Sequence, residues 1–295
     1  MSQDVLPIAA ASPGPKTARQ RPPLFRALGK NEPPNRIEID GHFYDRVEIY
    51  KHDSWAATAL YEGEAGLAIA KFNRQQPIGF IPMRWLGHWL ANHEAAVLKQ
   101  LQDLPNIPRL LGSVYIDGKL ACHAVARGYI LGHPMKAQEQ LPAAFFHKLH
   151  SILKQVHHRK IAYMDLHKRE NVIVGMDGAP YLIDFQVSYM LPRGWWTRLT
   201  VLPILLKLFQ QSDDYHCIKH YIRHSEEGKR TGEAAIHASR PWWIRLHRLV
   251  AVPFRWLRRR LLVLAGIRQG RGRVETEVFA EDALREPVKE LPTAA

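Results

Sequence analysis

Cysteine is nearly absent from this chain: two among 295 residues, Cys122 and Cys217. Two thiols cannot build the framework of bridges that staples small secreted domains, so the composition fits a reducing compartment. No run of about 18 uncharged apolar residues occurs, so nothing has the length needed to span a bilayer. Near the start, no apolar core of about 7–15 residues follows the first charges, and a secretory signal is not expected. Internal repeats are missing, and the sixteen histidines form no cluster with metal-ligand spacing. Acidic residues are the scarce charge, 28 against 41 Lys and Arg, for a formal net charge of +13. Such a surplus draws a protein towards polyanions. No recognised nucleic-acid-binding motif accompanies it, so nucleic acid is not the expected partner.

The imbalance is concentrated near the C-terminus. From Arg240 to Arg273 there are ten Arg and no Asp or Glu. Apolar Trp243, Leu246, Val250, Phe254, Leu257, Leu261 and Leu264 recur there at helical spacing, and Pro253 predicts a kink. Two readings stay open: a basic amphipathic helix on an anionic membrane surface, or late helices with an apolar core stripe and a solvated Arg face. Residues 1–38, rich in Pro, Ala, Gly and basic side chains without periodicity, read as a disordered tail. Residues 274–295 read as an acidic, Pro/Ala-rich tail. What lies between has the size of one catalytic unit.

Tyr163–Gln186, YMDLHKRENVIVGMDGAPYLIDFQ, carries the chemistry. It holds Asp165, Asn171 and Asp184, with two short apolar runs, NVIV and YLID, split by Met176-Asp177-Gly178. That pattern predicts a β-hairpin, which brings the Asn at one strand's start and the Asp at the other's end to one edge. Phosphoryl transfer uses such a set: a carboxylate to orient the accepting hydroxyl, and an Asn and an Asp to hold magnesium on the phosphates. Upstream, residues 66–72, GLAIAKF, predict a strand with Lys71 among apolar neighbours. Residues 85–101, WLGHWLANHEAAVLKQL, predict a helix carrying Glu94, the natural partner of Lys71.

Taken in this order, these residues resemble the protein-kinase-like superfamily, whose phosphate-gripping lysine, catalytic loop and metal-binding Asp-Phe follow one another. Over roughly 40–225 the chain looks like the bacterial lipopolysaccharide-core (Kdo/heptose) sugar kinases. The resemblance implies an α+β, bilobal fold: a small β-rich N-lobe over 39–132 and a larger helical C-lobe over 133–273. It implies ATP and Mg2+, with Asp165 and Lys168 catalytic, Asn171 and Asp184 on the metal, and Lys71 and Glu94 at the phosphates. Ser54, in the connection KHDSWAA, would approach phosphate. Tyr129, in the hinge Tyr129-Ile130-Leu131-Gly132, would offer backbone to adenine, and Ile107–Gly112 would lead into the preceding strand.

Departures from that pattern narrow the expectation. Tyr163-Met164 stands where protein kinases usually carry His-Arg, so phosphorylation of the following loop is not expected to switch the site on. Asp165 and Asn171 are six positions apart, one more than the usual catalytic-loop spacing. His167 and Lys168 fall inside that loop; either could approach the transferring phosphate, and Lys168 carries the fixed charge. Phe185-Gln186 replaces Phe-Gly, and Gln lacks glycine's freedom at positive φ, which argues against flipping of Asp184. KHDSWAA has no glycine to let backbone amides close on phosphate. No Ala-Pro-Glu follows Asp184. Instead come Trp195-Trp196 and the apolar stretch Leu199–Phe209, after which Asp213 or Asp214 is expected to open a helix and sit beneath the catalytic loop. His157 and His158 are expected to end the preceding helix in structural roles. The implied acceptor is a sugar hydroxyl on an envelope glycolipid. A protein Ser/Thr or Tyr hydroxyl is the alternative, and a membrane-associated pseudokinase scaffold is the non-enzyme alternative. The expected location is cytoplasmic, peripheral at the inner face of the cytoplasmic membrane.

Overall fold

The computed structural model describes residues 22–238 apart from 196, 198 and 199, together with Pro241, Trp243 and Arg260. Alternating apolar residues and tight turns build the first half. Strands β1 (Arg36–Ile39), β2 (His42–His52), β3 (Ala56–Gly63) and β4 (Gly66–Asn73) follow one another, then helix α1 (Arg84–Leu101), then β5 (Val114–Ile116), β6 (Lys119–Leu120) and β7 (Ala124–Gly128). They form one antiparallel sheet in the order β6-β5-β1-β2-β3-β4-β7. Asp40-Gly41 and Asp117-Gly118, all at positive φ, make the two-residue turns whose twist matches the strands they join. Register shifts between Arg46/Glu48 and Ile49/Lys51 coil the β2–β3 ribbon, and the sheet curls around Ile37, Ile39, Tyr61, Phe72 and Ala126. Helix α1 packs on β4 and β7. It comes close because Gly87 has no side chain: a Cβ there would meet the Arg74 carbonyl oxygen at 2.2 Å.

The second half is β8 (Gly132–Pro134), α2 (Ala143–His158), β9 (Ile161–Ala162), β10 (Val172–Gly175), β11 (Pro180–Leu182), β12 (Tyr189–Met190), α3 (Leu202–His224), α4 (Glu226–Thr231) and α5 (Glu233–Ala238). The expected hairpin is present: Val172 pairs with Leu182, and Gly178 sits in the turn at φ +70. Strand β8 adds to it, and β9 pairs with β12. One apolar core joins Leu149 and Leu153 of α2, Val172 and Leu182 of the hairpin, Phe185, and Val97 and Leu98 of α1. The molecule is thus a mixed α+β structure of antiparallel sheets and packed helices.

Three boundaries differ from those read in the sequence. The N-terminal tail ends before residue 38. Ala27 is fully buried, its N–H donates to the Asp53 carbonyl at 2.7 Å, and its own carbonyl accepts from Gln75 and Gln76. Such order comes from hydrogen bonds to the turn after β2 and the segment after β4, which leave no periodicity to read. Helix α3 starts at Leu202, with Pro203 in its first turn where no amide partner is needed, so Asp213 and Asp214 lie mid-helix instead of opening it. Ile107–Gly112 makes only a single bridge, Leu110 to Arg127, and the strand waits until Val114. Residues 1–21 and 274–295 lie outside the described residues, as does the C-terminal apolar stripe beyond Trp243. Trp243 itself packs on Tyr215, Ile222 and Ile236. No helix among the described residues is long and apolar enough to cross a membrane.

Candidate active site

Alternation along β4 puts Lys71 on the face opposite Ala70 and Phe72, which belong to the sheet core. On α1, Glu94 falls on the helix face that packs against β4, and it is 1 % exposed. Lys71 Nζ donates to Glu94 Oε2 at 3.1 Å and to Asp184 Oδ1 at 2.6 Å. Burial opposes the charge of Lys71, but Asp184 and Glu94 outweigh it and hold the ammonium above its ordinary pKa. Burial also opposes ionisation of Asp184, yet Lys71, Lys168 and Lys51 together keep that carboxyl below its ordinary range. Glu94 is the loser of the three: burial pushes its pKa up, Asp184 adds to this, and Lys71 only partly offsets it.

The loop before the hairpin presents the second half of the site. Asp165 Oδ2 accepts from Lys168 Nζ and from Asn171 Nδ2, both at 2.8 Å, and His167 Nδ1 lies 3.3 Å from Asp165 Oδ1. Asn171 therefore uses its amide nitrogen inside the loop and keeps its carbonyl oxygen as a free type of donor for a cation. Its backbone carbonyl accepts from Ile183 N at 3.0 Å, which brings Asn171 beside Asp184. An amide oxygen and a carboxylate are hard donors of the kind magnesium takes. No group of three or more His, Cys, Asp or Glu that could hold a metal occurs among the described residues. Phosphate oxygens and water would complete the shell of a magnesium ion held by this pair.

Asp213 fastens the loop from below. It is fully buried and accepts from Tyr163 N and Met164 N, each at 2.7 Å, while His157 Nε2 lies 3.0 Å from its Oδ2. Of the two adjacent acids, then, Asp213 takes the role expected under the loop, and Asp214 pairs with Lys154 and His150 at the surface. Met164 and Asp184 both sit at positive φ, +67 and +63, a conformation that costs a non-glycine residue about 1–2 kcal/mol. Packing holds them there. The Tyr163 hydroxyl donates to the Ile183 carbonyl, its ring meets Phe185 edge-on at 5.0 Å, and His220 Nε2 donates to the Leu166 carbonyl at 2.6 Å. Gln186, in the glycine's place, donates to Asn73 Oδ1 at 2.8 Å and so ties the segment after Asp184 to the end of β4.

Two expected contacts are drawn differently. β2 and β3 run further than expected, so only Asp53-Ser54-Trp55 connects them. The Ser54 hydroxyl donates to the Phe25 carbonyl at 3.1 Å instead of standing open towards phosphate, because residues 22–28 pack beneath this turn. The Asp53 carboxylate takes the amides of Trp55 and Ala56 at 2.7 and 2.9 Å, the donors a phosphate would need. Tyr129 gives its N–H to the Leu67 carbonyl at 3.3 Å, since the chain is still following β4, and its side chain packs on Tyr50, Leu60 and Ile69. Sequence reading passed over His157 as a partner of Asp213, Lys51 as a charge near Asp184, and Gln186–Asn73 as a tie. His157 lies six residues before Tyr163, but only the fold shows that it faces α3.

No protein-family model matches this chain, and no curated protein matches it significantly. A functional reading therefore rests on the geometry of the site itself.

Proposed function

We propose that this protein is an ATP- and magnesium-dependent phosphotransferase of protein-kinase-like, bilobal fold, whose acceptor is a sugar hydroxyl on an envelope glycolipid such as lipopolysaccharide core. The observation that carries the reading is Lys71, held between Glu94 on one side and Asp184 on the other, across 113 residues of sequence. An ion pair kept only for stability has no need of a second carboxylate competing for one buried ammonium. A phosphate-gripping lysine does need a partner to aim it and a metal-binding acid beside it.

In this reading Asp165 accepts a hydrogen bond from the acceptor hydroxyl. It takes the proton as the new oxygen–phosphorus bond forms and the bond from the γ-phosphorus to the bridging oxygen breaks, releasing ADP. Lys168, 2.8 Å from Asp165, lies where it can meet charge on the transferring group. Lys71 grips the phosphates once freed from Asp184, and Asn171 and Asp184 would hold magnesium, which would supply neutralisation of phosphate charge. Exposed Trp195, Val201 and Ile204 beyond Asp184 favour a lipid-linked acceptor over a Ser/Thr or Tyr peptide.

A second reading, a membrane-associated pseudokinase scaffold, draws on one observation. The Asp53 carboxylate holds the amides that a glycine-rich loop would offer to phosphate. The deciding experiment is transfer of radiolabelled γ-phosphate from ATP into a lipid extract and, separately, into a protein extract. Label in a glycolipid, lost in Asp165→Ala, supports the reading. Label in protein moves the acceptor to Ser/Thr or Tyr, and label in neither with intact folding favours the scaffold.

A further inference from the structure

Helix α1 is built with three unlike faces, and the site uses one of them. Leu90, Ala91, Glu94, Val97 and Leu98 are buried against the sheet and the core. Trp85 and Trp89, four residues apart and so neighbours on the surface, are 63 % and 56 % exposed. Just before the helix the chain makes a tight turn, with Ile78 and Ile81 bridged and Gly79 at φ +58. Phe80 at its tip is 96 % exposed, and Ile78 and Ile81 are exposed as well. An aromatic residue held at the tip of a hydrogen-bonded turn, followed by two tryptophans on one helix face, is far from the scattered apolar exposure of an ordinary surface.

The charges around this patch have one sign. Between Asn73 and Gln102 the only acidic residue is Glu94, which is buried and paired with Lys71. The outer surface of this stretch therefore shows no carboxylate. Arg84 and His88, one position behind each tryptophan, line an open cavity of about 450 Å³ together with Lys119, Cys122 and His123, with Asp117 its one acid. His88 and His123 stack there at 6.4 Å. Burial, then the neighbouring His88 and Arg84, lowers His123 to about 4, which marks the cavity as one where further positive charge is resisted.

We infer that this face is a membrane-docking surface: Phe80, Trp85 and Trp89 enter the interfacial region of an anionic phospholipid bilayer while Arg84 and Lys119 meet its phosphate headgroups. Aromatic side chains with basic neighbours are the composition that binds such an interface. The charge complementarity, with Arg84 and Lys119 beside the aromatic residues and no exposed acid between Asn73 and Gln102, selects an anionic bilayer as the occupant. The inference rests on neither phosphotransfer nor the Arg-rich C-terminal stretch.

Flotation of the full-length protein with vesicles tests it. Vesicles of phosphatidylcholine alone are compared with vesicles containing about 30 % phosphatidylglycerol, at low and high salt. Wild type should float with the anionic vesicles at low salt and be released by salt. The variant F80S/W85S/W89S and the variant R84Q/K119Q should each bind at least about ten-fold more weakly. All five side chains are exposed, so unchanged melting temperatures are expected. Phe80→Ser alone, at a turn tip with almost no packing, serves if the triple variant melts early, and should itself weaken binding measurably. Equal binding to neutral vesicles, no binding by wild type, or undiminished binding by these variants would each overturn the inference. So would loss confined to R258Q/R259Q/R260Q, which would assign the membrane contact to the C-terminal segment.

Discussion

Lys71 shows most directly how single side chains set this site. Its ammonium faces two carboxylates, so removing it leaves Glu94 buried beside Asp184 without its ion-pair partner, while Asp184 keeps only the more distant Lys168 and Lys51. Breaking a buried pair in this way costs about 3–5 kcal/mol. Lys71→Met should therefore lower the urea midpoint as well as abolish transfer, and adding Glu94→Gln should recover part of the stability but none of the activity. A double variant no more stable than the single one would contradict the assignment. Asp213 makes a second test. Asp213→Ala leaves the amides of Tyr163 and Met164 without an acceptor, at about 1–3 kcal/mol for each unsatisfied group. Asp213→Asn keeps one acceptor oxygen, so denaturation midpoints should fall in the order wild type, Asn, Ala. Asp165→Ala and Asp184→Ala, by contrast, should stop label transfer while leaving circular dichroism spectra unchanged. That Lys71 meets Glu94 and Asp184, and Asp165 meets Asn171, was legible in the sequence because strand, helix and hairpin periodicity placed these residues at facing edges. The partners of Ser54 and Tyr129, the Phe25 and Leu67 carbonyls, were not legible because they depend on which hydrogen bonds the neighbouring chain leaves open.

Elements were readable where periodicity was strong. β4, α1 and the β10–β11 hairpin lie where the apolar pattern puts them. The start of α3 was missed because its first turns are apolar all round, so no face stands out until Asp213. Segment 22–38 was missed because much of its order comes from backbone bonds to Arg46 of β2, to the Asp53 turn and to Gln75 and Gln76 just after β4. Position of α1 relative to β4 depends on one residue that no periodicity marks. Gly87 lies where a methyl group would strike the Arg74 carbonyl, which cannot move without disturbing β4. Gly87→Ala should cost about 1–3 kcal/mol by overpacking, despite alanine's better helix propensity. Because the displaced helix carries Glu94, transfer should fall more steeply than stability, which parallel measurements of turnover and melting temperature would reveal. A stabilised, fully active Gly87→Ala protein would show that α1 has room to spare.

Across the molecule, acid should cost stability through buried histidines in both halves. Burial lowers His220 from 6.5 to about 4 and His216 to about 3, the latter reinforced by Lys219. Folded values depressed in this way mean stability that is complete above pH 6.5 and lost as pH falls towards 4, because the unfolded chain takes up the protons first. Glu94 and Asp213, both raised, act with the opposite sign, so a comparison isolates the histidine. His220→Gln, still able to donate to the Leu166 carbonyl, should gain on wild type by about 3 kcal/mol between pH 6.5 and pH 4. A constant difference across that range would mean that His220 does not titrate in the fold.

The two ties between β4 and the Asp184 segment have a consequence for motion. Lys71–Asp184 and Asn73–Gln186 span the same 113 residues, two positions apart on each side. They form two rungs of a ladder, so neither can serve as a pivot for the other. In the proposed bilobal arrangement, the two sides of the site would part only when both rungs release in one event. Arrival of nucleotide would follow that rare event, so the rate of binding should saturate at the rate of opening instead of rising with nucleotide concentration. Gln186→Gly, which leaves a single rung, would turn the same site into a hinge that opens on a faster timescale.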